Sequence, residues 1–433
     1  MMKNILQKST VIALAFAYVL LITRAALIPA THEDSRHFIR GDGFSDQNVY
    51  STVLWVRDFG FWESKLRAVL FYKGDGNKAG AEVYTHYPSY PDMLIAAYSR
   101  ALDTVNEPLL RSLPIALSLL LVFLVYQCLK IFPMSSNERN LNFILFLLSG
   151  YFIFWADNLH KHLHEYIVLW GTVYLLWNYY QTPPTSLNSK LKIYLWFLPL
   201  TFVATQCSFE TYVIVATLVV GTSLAFEKGI RKIISPLNIY LGALFILGLG
   251  LHLYLNRLYF GSWELTIADM KASYMQRIGA GAEDEKMTLL KYLELPLRFV
   301  NRQERYFFVP GYALLIFLWV YLKKLKQTGH LAAYKMLWVM VAASVSWYFF
   351  MSQHAFMHHF TAKHFGLVAI IISAPGIFWW LQEWELLRKE SWTLKKSGMA
   401  LLGVYVFLMA LTQIVYPVWW KHSLKFLVES IFF

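Results

Sequence analysis

The sequence predicts an all-α polytopic membrane protein, and three observations carry that expectation. Of its 433 residues, 57% are hydrophobic, 17% aromatic and only 15% charged, whereas soluble domains average roughly 25% charged residues. Apolar runs recur along the whole chain at lengths near the roughly 20 residues that cross a bilayer. Lysine and arginine gather in alternate short loops, the positive-inside pattern. That pattern accounts for the net charge of +12 and leaves no case for nucleic acid as a partner. Cys128 and Cys207 lie in or beside apolar segments and suggest neither a disulfide framework nor a zinc site.

The first apolar run spans residues 10–28, preceded by Lys3 and Lys8. It reads either as a signal peptide or as a span, and the many spans after it keep the class unchanged. Arg24, near its outer end, either snorkels to the headgroups, the commoner case, or faces an anionic ligand. After a long loop, 31–108, the second span covers 109–132. Further runs lie at 141–156, 165–181, 193–206, 210–226, 237–257, 307–322, 336–350, 365–381 and 398–417, about eleven spans in all with boundaries good to a few residues. The 193–226 region is either a tight helical hairpin or one broken helix. With the N-terminus inside, the inner loops carry Lys190 and Lys192; Lys228, Arg231 and Lys232; Lys323, Lys324 and Lys326; and Arg388, Lys389, Lys395 and Lys396. The outer segments are then 31–108, 157–164, 207–209, 258–306, 351–364 and the C-terminal tail. They hold most of the unusual polar residues of a single integral membrane domain, 1–433.

The first outer loop organises the rest. Val49, Val53 and Val56, with Tyr50 and Leu54, fall at helical spacing. With Trp55, Phe59, Phe61 and Trp62 they predict an amphipathic helix on the membrane face, stopped near Gly60. Residues 73–80 are a turn-rich strip, and Gly74-Asp75-Gly76 is too short to read as a metal loop.

Candidate chemistry clusters in the outer segments. Asp42 and Asp46 form a carboxylate pair. Sugar transfer from a good leaving group needs one base to take the acceptor's proton, whereas glycosidases need two carboxyl groups. On spacing alone, a capping role for Ser45 or Asp46 is favoured. In His86-Tyr87-Pro88-Ser89-Tyr90-Pro91 the prolines fix the backbone, which either presents His86, Tyr87 and Tyr90 to a ligand or makes a rigid re-entry turn. In residues 157–165, His160 and His164 are four apart, on one face if helical. Such a pair suits zinc but lacks a third ligand at motif spacing; phosphate or sugar contact and a solvated loop are the other readings. His354, His358, His359, Lys363 and His364 suit either a lipid-linked phosphate or a cationic belt. Glu210, at the tip of the possible hairpin, is a functional candidate expected to reach the outer interface. Arg302 and Arg305 read as interfacial anchors or phosphate contacts.

The order of these features resembles the GT-C membrane glycosyltransferases, in particular the bacterial branch related to protein O-mannosyltransferases and lipid A aminoarabinose transferases. The family's Asp-Glu-x-x-Tyr-like motif is matched by Asp46-Gln47-Asn48-Val49-Tyr50, with Gln47 departing from the pattern. Residues 84–91 resemble its re-entry motif, and Arg111 opens a small, Leu-rich run as the second span of the family does. His164-Glu165-Tyr166 stands where the family has an Arg-x-Tyr step. The resemblance covers roughly residues 10–230, and order and topology carry it.

The resemblance implies a sugar donor on a polyprenyl phosphate, with Asp46, or else Asp42, deprotonating the acceptor hydroxyl and inversion at the sugar. Lys363, Arg305 and His358 would hold the departing phosphate, electrostatic help that is often the largest catalytic term. Tyr50, His86, Tyr87, Arg111, His164, Glu210 and His359 would complete the substrate site. The acceptor is a lipid, glycan or protein. No cofactor is expected, with a divalent metal left open. The expected location is a bacterial inner membrane with the site facing the periplasm. Two other classes compete. An O-antigen polymerase or ligase places its long functional loops late in the chain, and a lipid-sugar transporter shows internal repeats and broken helices at the midplane.

Overall fold

The computed structural model describes residues 2–27, 43–184, 186–280, 286–303, 306–307 and 311–388. Helix α1 (Met2–Leu27) is followed by α2 (Gly43–Phe59), strands β1 (Ala68–Leu70) and β2 (Glu82–Tyr84), α3 (Tyr90–Leu102), α4 (Glu107–Leu110) and α5 (Ser112–Ile131). Next come α6 (Ser136–Leu148), α7 (Gly150–Ile153), α8 (His162–Gln181), α9 (Leu187–Cys207), α10 (Phe209–Phe226), α11 (Pro236–Phe260) and α12 (Trp263–Arg277). Then follow α13 (Leu289–Arg302), α14 (Gly311–Gln327), α15 (Leu331–Phe350), α16 (Ser352–Met357) and α17 (Gly366–Arg388). Serine starts many of these helices. Ser135, Ser186, Ser208, Ser235 and Ser262 each accept from the backbone N–H three residues on, satisfying a donor that the helix itself cannot.

Among the described residues, five stretches are long and apolar enough to cross a membrane: Gln7–Leu27, Glu107–Ile131, Phe209–Phe226, Gly229–Phe260 and Phe360–Glu383. The chain is an integral membrane protein, and the described residues do not confirm the expected count of about eleven spans. The other runs within the described residues also form helices, several of them short or with polar ends. Helix α6 has 13 residues. Helix α14 has 17 and closes on lysines, α9 opens on Lys190 and Lys192, and α8 begins with His162, His164 and Glu165. The run at 398–417 lies outside the described residues.

The 193–226 region is two helices, α9 and α10, separated by Ser208 in an extended conformation. The first half of α8 is buried on every side, as expected of a helix at the centre of a bundle, and it packs on α5, α9 and α10.

Helix α2 exists as predicted and stops at Phe59, where Gly60 takes a φ of +80° that glycine adopts without steric cost. Its apolar face is covered by protein. Val49, Val53 and Val56 pack with Ile95 and Ala96 of α3 and with Leu110, while Leu54 and Trp55 pack on Val69 and Tyr72. The antiparallel ribbon that follows pairs Val69 with Val83. The turn-rich strip 73–80 is the connection between its strands.

Candidate active site

Strip 84–92, segment 157–165 and the region around α16 converge on one cavity of about 590 Å³. The strip is fixed from several sides. Arg67, fully buried, donates to the carbonyls of Thr85 (3.2 Å) and Tyr87 (2.6 Å) and sits 3.1 Å from Nδ1 of His252. Burial pushes its guanidinium down to about 10, because the charged form loses hydration. Asp269 of α12 accepts from Thr85 Oγ1 (2.9 Å) and pairs with His86 Nε2 (3.1 Å). On the α16 side, Arg302 donates to the carbonyls of Ala355, Phe356 and His358 (2.5, 2.6 and 3.3 Å). Arg302 is therefore a backbone clamp, neither an interfacial anchor nor a phosphate contact.

The cavity wall is cationic. The ammonium of Lys161 lies 4.6 Å from the centre of the Tyr87 ring, and the Arg277 guanidinium lies 4.9 Å from it, within cation–π range. Both cations line the cavity and both are more than nine-tenths buried. Arg277 donates to Ser273 O (2.8 Å), but its Nε has no hydrogen-bond partner among the described residues. Tyr87 Oη is 3.0 Å from His354 Nε2, and Trp347 Nε1 donates to His354 Nδ1 (3.1 Å). Indole is a donor only, so Nδ1 accepts and the ring proton points from Nε2 to Tyr87. Burial holds His354 well below the ordinary histidine value, which keeps the ring neutral. Asp92 is a carboxylate on the same cavity. It sits in the first turn of α3, where the helix dipole favours negative charge, with His160 Nδ1 at 3.3 Å.

Segment 157–165 joins two buried ion networks. In the first, Asp46 accepts from Arg111 Nη1 (2.8 Å), Asn158 Nδ2 (2.6 Å) and the Leu159 N–H (2.8 Å). Arg111 also donates to Glu107 (2.7 Å) and to the Asp157 carbonyl (2.7 Å). Arg24 does not snorkel: it is buried and pairs with Asp157. In the second, Lys161 donates to Glu210 (2.8 Å) with Glu165 at 3.4 Å. Lys363 donates to Glu165 (2.6 Å) and meets His162, and His364 faces Glu210 at 3.4 Å. Burial alone would strip the proton from Lys161. Glu165 and Glu210 outweigh it and hold the ammonium well above the ordinary lysine range.

Of the residues singled out from sequence, His86, Tyr87, His160, His354 and His358 line the cavity. Asp46 does not, although its neighbours Ser45 and Asn48 do. Arg111 is in the first network. Glu210 and Lys363 are fully buried in the second, so Glu210 does not reach the interface and Lys363 belongs to no surface belt. Tyr50 donates to the Val105 carbonyl (2.9 Å). His164 packs edge-on against Tyr90. It shares no helical face with His160, because α8 begins at His162. Segment 157–165 is no solvated loop, being buried nearly throughout. Asp42, Arg305 and the side chain of His359 lie outside the described residues. Sequence reasoning missed Lys161, Asp92 and Arg277 as cavity residues. Lys161 stood inside a motif already marked and Asp92 directly after one, whereas Arg277 has no local pattern around it.

No family model and no curated protein matches this chain. Solved structures do. The Archaeoglobus fulgidus oligosaccharyltransferase in its apo form is similar over 94% of this chain and 56% of that one, at 12% identity and a TM-score of 0.50. The oligosaccharyltransferase AglB of the same organism, in complex with an inhibitory peptide and a dolichol-phosphate, is similar over 95% and 56%, at 11% identity and a TM-score of 0.52. A complex of that organism's enzyme with Zn and sulfate is similar over 93% and 53%, at 12% identity and a TM-score of 0.51. At this identity the likeness establishes the fold alone, the one these oligosaccharyltransferase structures have. The chain spans little more than half the length of these structures.

Zn in one neighbour raises the question of metal here. Among the described residues one group brings three donors within 4.8 Å of one another: Glu165, Glu210 and His364. Ammonium groups already occupy it, Lys161 on Glu210 and Lys363 on Glu165. Paired in this way, that group does not fit a divalent cation.

Proposed function

We propose that this chain is a GT-C membrane glycosyltransferase of the bacterial branch, moving a sugar from a polyprenyl phosphate to an acceptor hydroxyl on the outer face, with inversion. The observation that carries the reading is the cavity wall of Lys161, Tyr87 and Arg277 in this fold. The dolichol-phosphate in the AglB structure supports a lipid phosphate as the donor's carrier. In this reading the phosphate lies against Lys161 and Arg277, and His86 and His358 flank the sugar. The acceptor oxygen attacks the anomeric carbon, the bond to the phosphate oxygen breaks, and the charge left there meets preorganised cations.

The acceptor's proton passes to a carboxylate. The resemblance supports Asp46, which must then exchange one of its present donors for the hydroxyl. A second reading is Asp92, favoured because it lines the cavity. The test is transfer from a panel of labelled polyprenyl-phosphate sugars to lipid, glycan and peptide acceptors, by wild type, Asp46→Asn and Asp92→Asn, with folding checked in detergent. Wild type is expected to transfer, and the folded variant lacking the base to lose about 10²–10⁴-fold. Retention of activity in Asp46→Asn with loss in Asp92→Asn assigns the base to Asp92. Absence of transfer by wild type from every donor contradicts the function.

A further inference from the structure

We infer that a fixed ammonium, Lys161, neutralises the donor's phosphate in this chain, in place of a divalent cation held by Glu165, Glu210 and His364. The inference rests on the lipid-phosphate reading above and goes beyond it. A metal that serves a phosphate needs carboxylates free to turn toward it. Among the described residues the one group that brings three such donors together, Glu165, Glu210 and His364, is already paired with lysines, and Asp92 on the cavity wall is not part of any such group. Lys161 lies 2.8 Å from Glu210 and 3.4 Å from Glu165; Lys363 lies 2.6 Å from Glu165. Two lysines against two glutamates leave the network neutral. A dication entering it would bring two buried positive charges with nothing to balance them, and uncompensated buried charge is costly.

Lys161 is the member of this network that lines the cavity; Glu165, Glu210, Lys363 and His364 stand behind it. The acid pair therefore acts on the cavity through Lys161, holding its ammonium charged and in place. An anion in the cavity meets that ammonium and Arg277, whose Nε has no hydrogen-bond partner among the described residues. Charge-assisted hydrogen bonds of this kind are the strong ones.

The test uses the full chain purified in detergent and stripped with EDTA. Metal content is read by mass spectrometry after equilibration with Zn²⁺ or Mn²⁺. Binding of a polyprenyl phosphate is read by tryptophan fluorescence with EDTA and with Mn²⁺. The expected result is no stoichiometric metal and equal affinity in both buffers. Lys161→Met leaves Glu210 uncompensated and risks unfolding, so the variant of choice is Lys161→Met/Glu210→Gln, which removes one charge of each sign. It is expected to bind the lipid phosphate about thirtyfold more weakly, the scale for losing one buried charged hydrogen-bond partner. One bound metal ion per chain, or lipid binding that requires Mn²⁺, overturns the inference. Unchanged affinity in the folded double variant overturns the role of Lys161. If wild type binds no polyprenyl phosphate in either buffer, the glycosyltransferase reading falls first and the role of Lys161 with it; the metal content separates that outcome from a metal requirement.

Discussion

Asp46 and Arg111 stand 65 residues apart in sequence and 2.8 Å apart in space, both with no exposure to solvent. Burying two charges is repaid only when every donor and acceptor is used, and removing one partner leaves the other stranded. Arg111→Met is therefore expected to destabilise the chain by about 3–5 kcal/mol. Asp46→Asn/Arg111→Met should recover a large part of that loss, as read by thermal unfolding in detergent. Equal stability of wild type and Arg111→Met would contradict a structural role for the pair. Each residue was legible alone, Asp46 as a helix-opening acid and Arg111 as the start of a span. Their partnership was not, because nothing in local spacing reports a contact that long. The same holds for Lys363 and Glu165, 198 residues apart; Lys363 read as a phosphate contact or a belt cation because its countercharge could not be seen.

At the scale of elements, the helix starts were written in serine, and one of them also touches the site. Ser208 accepts from the Thr211 N–H (3.2 Å) and donates to Glu165 (2.6 Å). Its cap thus orients a carboxylate that holds Lys161. Ser262 at the start of α12 caps Leu265 (3.2 Å) away from either network. Ser262→Ala is expected to cost about 1 kcal/mol. Ser208→Ala should cost about 1.5–3 kcal/mol more, for the lost hydrogen bond to a charged group. Chemical or thermal unfolding of the two variants compares them directly, and equal losses would separate the cap from the ion network. Helix α2 was legible from its valine spacing, but what covers that face was not: an apolar stripe packs as well on α3 and the ribbon as on lipid. The ribbon itself escaped notice because strands of three residues are too short to show alternation.

For the whole molecule, composition and charge placement carried the membrane class, while among the described residues five of the marked runs form helices long and apolar enough to span. A run such as 165–181 is apolar enough to mark, yet its helix begins with groups that only distant partners neutralise. The topology drawn from the positive-inside rule has its own test. Cys128 and Cys207 are buried and silent toward a membrane-impermeant maleimide. A cysteine at exposed Asn77 should be labelled in intact cells, and one at exposed Arg231 only after permeabilisation; the reverse order would invert the chain in the membrane. The claim that binds fold to function is that the cavity between strip 84–92 and α16 receives a lipid phosphate. The most direct measurement is an electron cryomicroscopy map of the chain in a lipid nanodisc with a polyprenyl phosphate added. The expected result is phosphate density within hydrogen-bond reach of Lys161 Nζ and Arg277 Nε. Lipid phosphate bound elsewhere, with that cavity bypassed, would contradict it.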